Sequence, residues 1–240
     1  MKFQKYMAVG ILGLTMALGF SGCQSENQKN QDAYRKIGIN SMAEGDYDKA
    51  VKSFQKALDT SLGKIGAEEI DICYYKAAAQ FAKKDYDGAI ETYTSLIDYD
   101  KENANAYYLR GSVYLDTDKK DKAFKDYKNA VKYAGREYEI YEGIYENLTN
   151  KGETEEAKNY LKKALDIKPK DGADYAEQGH VYYLLEDYTQ AKSSLDRAID
   201  KDDKTALLYL AEVYNATDQQ EQGQALLESY VKENAKDSEA

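Results

Sequence analysis

Large and small hydrophobic positions recur with helical spacing along most of the chain, and the stretch from Asn103 to Ala134 shows the pattern most clearly. There Tyr107 and Tyr114 flank the small residue Gly111 at spacings of four and three, which places all three on one face of a helix. After a polar break, two alanines flank a tyrosine at similar spacing. This stretch predicts two amphipathic helices, each with a small residue where the other helix must come close.

This two-helix pattern repeats along the chain. The small residue of the first helix recurs at intervals of 39, 34, 34, 34 and 32 residues, and the small residue of the second helix keeps the same intervals. The positions are Gly38, Ala77, Gly111, Tyr145, Gly179 and Ala211 in the first helices and Ala50, Ala89, Ala123, Ala157, Ala191 and Gly223 in the second helices. Because two markers share one spacing, insertion included, we predict six helix–turn–helix units.

The motifs resemble the tetratricopeptide repeat, a 34-residue helix–turn–helix unit with large residues around a Gly in its first helix and Ala before an aromatic residue in its second. The resemblance implies an all-α superhelical solenoid over about residues 32–236, with units near 31–64, 70–103, 104–137, 138–171, 172–203 and 204–237. Tyr replaces the family's Trp, the closing Pro survives at Pro169, and Tyr145 stands at a small-residue position. Close packing of the fourth unit is therefore left open.

The helix bounds follow from the repeat and from start signals. We expect first helices over 32–44, 68–83, 103–117, 137–150, 172–185 and 204–216, and second helices over 47–60, 86–98, 120–134, 153–167, 188–200 and 219–234. Asp46, Asp85 and Asp187 precede second helices, where a short carboxylate accepts free backbone N–H groups. The five extra residues near 63–69 predict a loop or a longer second helix.

The N-terminal segment has the features of a secretory signal. Lys2 and Lys5 precede an apolar run over residues 6–20, which is short for a membrane-spanning helix. The run ends in Ser21-Gly22-Cys23, which resembles a bacterial lipobox. The resemblance implies a signal peptide over 1–22, lipidation of Cys23, a polar linker to residue 31 and an extracytoplasmic protein anchored to a bacterial membrane. The alternative is an ordinary secretory signal with an incidental Cys.

The net charge limits the classes of partner that the chain can bind, and the cysteine content bears on its reactivity. The formal net charge of −10 argues against nucleic acid, whose phosphates require basic surfaces. Cys73 would be the sole cysteine beside Cys23. It occupies a core position of the repeat, so we interpret it as a small buried hydrophobic residue rather than a reactive thiol.

The family resemblance also implies a binding surface, because first helices line the concave groove of such arrays. The groove face lies about 100° around the helix from the core face. The groove residues expected on this basis are Arg35, Tyr74, Phe81, Tyr108, Leu115, Glu142, Glu146, His180 and Tyr183. Aromatic residues at one end and acidic residues at the other suit a protein or peptide with apolar anchors and a basic segment. The alternative is that these residues pack against neighbouring helices.

Enzymatic motifs are missing from the sequence. A single histidine, His180, allows no HExxH pair, and no phosphate-binding glycine loop occurs. We therefore expect no enzyme activity, no cofactor and no metal ligands. The favoured function is a membrane-anchored interaction adaptor or scaffold. A cell-wall or glycan-binding accessory role is the alternative, and a hydrolase centred on His180 is the weakest hypothesis.

Overall fold

The computed structural model describes residues 26–61, 63 and 65–237, and every regular element within these ranges is an α-helix. The chain divides into two compact units with the boundary between residues 134 and 135. Unit 1 contains α1 Glu26–Ala43, α2 Tyr47–Thr60, α3 Ala67–Ala82, α4 Tyr86–Tyr99, α5 Ala104–Asp116 and α6 Lys120–Tyr133. Unit 2 contains α7 Tyr138–Asn150, α8 Thr154–Ala164, α9 Gly172–Leu184, α10 Tyr188–Ile199, α11 Ala206–Ala216 and α12 Gln220–Asp237. The described part of each unit thus holds three helical hairpins, and the all-α prediction is confirmed.

The hairpins all use the same type of turn. In each, the chain reverses through a residue with φ between 58° and 82°; these residues are Gly45, Lys84, Asp118, Gly152, Glu186 and Asp218. Their spacings of 39, 34, 34, 34 and 32 equal those of the small residues in the sequence. The N–H that follows the turn residue donates to a carbonyl five residues back, as from Lys119 to Tyr114 at 2.8 Å and from Asp187 to Tyr182 at 2.9 Å. This is a Schellman-type helix end, repeated in register.

Aspartates begin three of the second helices, as the sequence predicts. The carboxylates of Asp46, Asp85 and Asp187 each accept the backbone N–H three residues on, at 3.0, 3.2 and 3.1 Å. Such a cap satisfies a backbone donor that has no partner within the helix. The start of each of these helices is therefore fixed by its own sequence.

The small residues allow close packing within the hairpins. A Cβ added to Gly111 would lie 2.8 Å from the ring of Tyr127, which is fully buried on α6. In unit 2, a Cβ at Gly179 would lie 2.6 Å from Leu195. Protein interiors are packed as densely as organic crystals, so neither site has space for a methyl group. The repeated glycine thus sets the distance between the two helices of its hairpin.

In two of the hairpins, a polar side-chain contact next to this glycine position links the two helices. In unit 1, Arg110 donates through Nε and Nη2 to both carboxylate oxygens of Asp126, at 2.8 and 2.9 Å. In unit 2, the hydroxyl of Ser194 donates to Oε1 of Gln178 at 3.1 Å. Both pairs are separated by 16 residues. One position of the repeat thus holds an ion pair in one hairpin and a neutral pair in the other.

The N-terminal part of the fold differs from the expectation. Helix α1 begins at Glu26, so the linker predicted up to residue 31 is helical from residue 26 onward. The reason lies outside the local sequence, since Gln31 is buried and its amide donates to Glu69 of α3 at 2.7 Å. The signal peptide and Cys23 lie outside the described residues. Among the described helices, none has both the length and the apolar character needed to cross a bilayer.

The structure also tests the expectations for the insertion between the first two hairpins and for Tyr145. Helix α2 ends at Thr60 and α3 begins at Ala67, and the described residues between them, 61, 63, 65 and 66, lie outside any helix, which excludes the longer second helix. In the fourth hairpin, Tyr145 is half-buried while its neighbours Ile144 and Leu148 are fully buried. Helix α7 therefore keeps a hydrophobic core face and carries the large ring at the margin of that face.

Candidate functional site

The predicted groove residues lie on α1, α3 and α5 in unit 1 and on α7 and α9 in unit 2. We call these surfaces the first-helix face of unit 1 and the first-helix face of unit 2. Three aromatic residues define the face of unit 1: Tyr74, Phe81 and Tyr108, all half-buried. The acidic residues and His180 define the face of unit 2.

The aromatic rings of unit 1 are held in place from the core side. Tyr108 lies 6.4 Å from the ring of the buried Tyr127, and Tyr74 lies 6.3 Å from that of the buried Tyr93. The Tyr74 hydroxyl donates to Oδ1 of Asn103 at 2.6 Å. Burial on one side and partial exposure on the other give these rings a fixed orientation. Such rings can contact a ligand without first losing conformational freedom.

Arg35 does not offer a free charge on this face. Its guanidinium donates to Asp71 at 2.5 and 2.7 Å and lies over the ring of Tyr75 at 5.2 Å. Burial raises the pKa of Asp71, and the hydrogen bond from Arg35 opposes that rise. Arg35 therefore joins α1 to α3 and is largely engaged within the unit.

Leu115 is a correction to the predicted groove. Its side chain is 2% exposed, so it belongs to the interior of unit 1 rather than to a binding surface. An aliphatic side chain gains free energy by leaving water, and this one has done so within its own unit. Glu146, by contrast, is half-buried on α7 and stays among the candidate contacts.

The first-helix face of unit 2 contains a compact group of ionisable side chains. Nδ1 of His180 lies 3.0 Å from Oε1 of Glu142, which joins α9 to α7. Glu177, one helical turn before His180, completes a trio whose candidate ligand atoms all lie within 4.8 Å of one another. The ring of His180 stacks on Tyr209 at 4.3 Å between centroids and on Tyr183 at 6.1 Å. Residues from three helices of unit 2 thus converge here.

The electrostatics of this trio reflect its burial and its excess of negative charge. Burial, followed by the nearby charges of Glu142 and Glu139, raises the pKa of Glu177 to about 7. For His180, burial alone would lower the pKa, but the hydrogen bond and charge of Glu142 outweigh it and the pKa is raised. Glu212 adds to this rise. A positive charge is therefore favoured at this position.

Sequence reasoning missed two members of this group, Glu177 and Tyr209. The sequence excluded a His–His metal pair because His180 is the single histidine, and it gave no sign that the fold brings both Glu142 and Glu177 close to His180. A usable signal was present in Glu177-x-x-His180, because residues three apart share one face of a helix. The contribution of Glu142 was not visible locally, since it lies 38 residues from His180.

Comparison with known proteins agrees with the architecture. Family models described as TPR repeat and Tetratricopeptide repeat match residues 77–118, and residues 32–61, 104–136, 146–171 and 177–238, respectively. Anaphase-promoting complex subunit 3 of Schizosaccharomyces pombe is 21% identical over 217 residues, which is 78% of this chain and 33% of that protein. Human tetratricopeptide repeat protein 13 is 27% identical over 154 residues, covering 59% of this chain and 17% of that protein. This chain thus spans a third or less of either relative.

A solved structure supports the same fold. A tetratricopeptide repeat protein from Parabacteroides merdae matches with a TM-score of 0.50 and 13% identity, over 95% of this chain and 84% of that one. The family models cover the hairpins of both units. Tetratricopeptide-repeat proteins generally mediate protein–protein interactions and form a non-catalytic scaffold family. The chain belongs to the tetratricopeptide-repeat family.

Proposed function

We propose that this chain is a lipid-anchored adaptor or scaffold that binds a partner protein or peptide through its first-helix faces. The observation that best supports binding is the set of Tyr74, Phe81 and Tyr108 in unit 1, whose rings are fixed by core contacts and partly exposed. Aromatic residues are enriched among those that contribute most to binding free energy. They would contact apolar side chains of the partner.

The first-helix face of unit 2 would take basic residues of the partner. Glu139 and Glu212 are exposed near the trio, and Glu142 and Glu177 are half-buried within it. Opposite charges across an interface raise association rates and select among partners. The expected partner therefore carries Lys or Arg residues as well as apolar anchors.

Membrane anchoring is the second part of the proposal and rests on the sequence of residues 1–23. Metabolic labelling with an alkyne-bearing palmitate in a bacterial host tests it, because a lipidated N-terminal cysteine incorporates the label. Cys23→Ser should abolish the label and release the protein from the membrane fraction. Cys73→Ser is the matched control, since Cys73 packs against the core of unit 1 and burial raises the pKa of its thiol. Labelling that persists in Cys23→Ser would refute the anchor.

Site-specific photocrosslinking tests partner binding on the face of unit 1. A photoreactive benzoylphenylalanine in place of Tyr108 should crosslink a defined partner in the native membrane. The same residue in place of Tyr99 is the control, because Tyr99 is 55% exposed but lies on the second helix α4. Equal crosslinking from both positions would contradict a binding face on the first helices.

Substitution at the same face provides the complementary test. The double variant Tyr74→Glu with Tyr108→Glu should lose partner capture while circular dichroism still reports native helicity. Retained capture would remove this surface from the proposal. Binding of purified cell-wall fragments that depends on the two tyrosines, without any protein partner, would favour the glycan-binding alternative instead.

A further inference from the structure

Glu142, Glu177 and His180 hold three donor groups closer together than attraction of a basic partner segment alone requires. Glu177 and His180 lie three residues apart on α9, and Glu142 faces them from α7. Each offers one ligand atom, and these atoms lie within 4.8 Å of one another. Two ionised carboxylates in such proximity repel each other, and a bound cation relieves that repulsion.

We propose that Glu142, Glu177 and His180 bind a divalent transition-metal ion. The donor types select the class of ion, because imidazole nitrogen suits zinc, iron, nickel and copper, whereas calcium and magnesium prefer oxygen donors throughout. Two carboxylate oxygens and one imidazole nitrogen supply three protein ligands. A further coordination position is then left for water or for a donor from a bound molecule.

The distances fit metal binding after small side-chain rotations. Ligand atoms about 2.0–2.2 Å from a tetrahedral zinc ion lie roughly 3.4 Å from one another. The imidazole of His180 and the carboxylate of Glu142 are already 3.0 Å apart. The full trio spans up to 4.8 Å, so rotation of a glutamate side chain closes the remaining distance.

The surroundings hold the imidazole in position. Tyr209 stacks on the ring of His180 at 4.3 Å and 10°, and Tyr183 stacks on it at 6.1 Å and 15°. The side chains of His180 and Glu142 are 19% and 17% exposed, which leaves a route from solvent while removing most of their hydration. A ligand whose ring orientation is fixed loses little entropy on coordination.

The experiment uses the full chain, purified without a histidine tag, and titrates Zn²⁺ by calorimetry. We expect one Zn²⁺ per chain, and binding at least tenfold weaker in each of Glu142→Gln, Glu177→Gln and His180→Gln. Zn²⁺ should also raise the melting temperature of the wild type and leave that of the His180→Gln variant unchanged. Glu156→Gln is the matched control, because Glu156 is an exposed carboxylate of α8 in the same unit. It should bind Zn²⁺ as the wild type does.

Three results would overturn the proposal. One is the absence of Zn²⁺ binding at 1:1 stoichiometry in a fully folded wild type. Another is binding that is unchanged when His180 is replaced by Gln. The third is displacement of Zn²⁺ by Ca²⁺ or Mg²⁺ at equal concentration, which would assign the site to oxygen-seeking ions. None of these results depends on partner capture by Tyr74 and Tyr108, so the adaptor function is tested separately.

Discussion

The third and fifth hairpins share the same repeat positions but fill the equivalent contacts between their two helices with different side chains. In α5–α6, Gly111 faces the ring of Tyr127, and in α9–α10, Gly179 faces the branched end of Leu195. Next to the glycine, the third hairpin has the buried ion pair of Arg110 with Asp126, whereas the fifth has a neutral amide–hydroxyl pair. The repeat therefore accepts either a charged or a neutral polar contact across the hairpin at this position.

This difference indicates in which hairpin the stability of the contact depends on a charged partner. Asp126 is 3% exposed, and Nη1 of Arg110 also donates to Thr94 of the preceding helix at 3.0 Å. A buried carboxylate that loses its partner pays for desolvation with no compensation, while a neutral hydroxyl loses only one hydrogen bond. The two hairpins should respond very unequally to the same kind of truncation.

The largest effect is expected for Arg110→Ala. Because this change leaves Asp126 buried without its bidentate partner, the free energy of unfolding should fall by about 3–5 kcal/mol. Urea denaturation followed by circular dichroism measures it. The double variant Arg110→Leu with Asp126→Leu is the control and should recover most of the loss. A single variant that is as stable as the wild type would contradict the role given to the ion pair.

The variants Gly111→Ala and Gly179→Ala test how closely the two helices pack within each hairpin. Each should lower the free energy of unfolding by about 1–3 kcal/mol, because the added methyl group meets fully buried side chains. Gly179→Ala should cost more, since its Cβ lies 2.6 Å from Leu195, against 2.8 Å from Tyr127 at Gly111. Gly66→Ala serves as the control, as its Cβ meets only the end of the Glu69 side chain at 3.3 Å. A stabilised Gly179→Ala would show that the hairpin has room to open.

Gln178→Ala is the counterpart of Arg110→Ala and should have a smaller effect. Loss of the neutral hydrogen bond to Ser194 should lower the free energy of unfolding by about 1 kcal/mol. The same urea denaturation compares it with Arg110→Ala. An equal loss in the two variants would mean that side-chain packing, rather than charge, determines the cost at this position.

The smallest expected effect lies at the starts of the second helices. Asp187 caps α10, whereas Lys119 makes no side-chain capping bond to the described part of α6, although the backbone angles of the two residues are similar. Lys119→Asp should raise the free energy of unfolding by about 0.5–1 kcal/mol, because it adds an acceptor and a negative charge at a helix N-terminus. Asp187→Lys is the reciprocal change and should lower it. A destabilised Lys119→Asp would contradict the equivalence of the two starts.

The fold could be predicted from the sequence because its signals are local. The spacing of Gly111 and Ala123, the aspartate caps and the turn residues each act within one hairpin. Of the twelve helices in the described residues, eleven begin within two residues of the prediction. The extension of α1 could not be predicted this way. It depends on Gln31 reaching Glu69, which lies 38 residues further along the chain.

The candidate site was harder to predict for the same reason. Tyr74 and Tyr108 stay partly exposed as expected, but Leu115 is buried, and the frame of the repeat does not distinguish these outcomes. The trio of unit 2 joins α7 to α9 through His180 and Glu142. Contacts between neighbouring first helices depend on how hairpins stack, and a pattern read along one helix does not contain that information.

The constant turn has a consequence for how the length of such a protein can change. Asp118, Gly152 and Glu186 follow one another at intervals of 34 residues and all have positive φ, between 58° and 82°, so a segment cut at two of them begins and ends in a similar backbone conformation. Unequal recombination between two such points would insert or remove a whole repeat without creating a new kind of junction. A single crossover can thus lengthen the chain by duplicating a repeat. Each copy can then acquire its own surface chemistry.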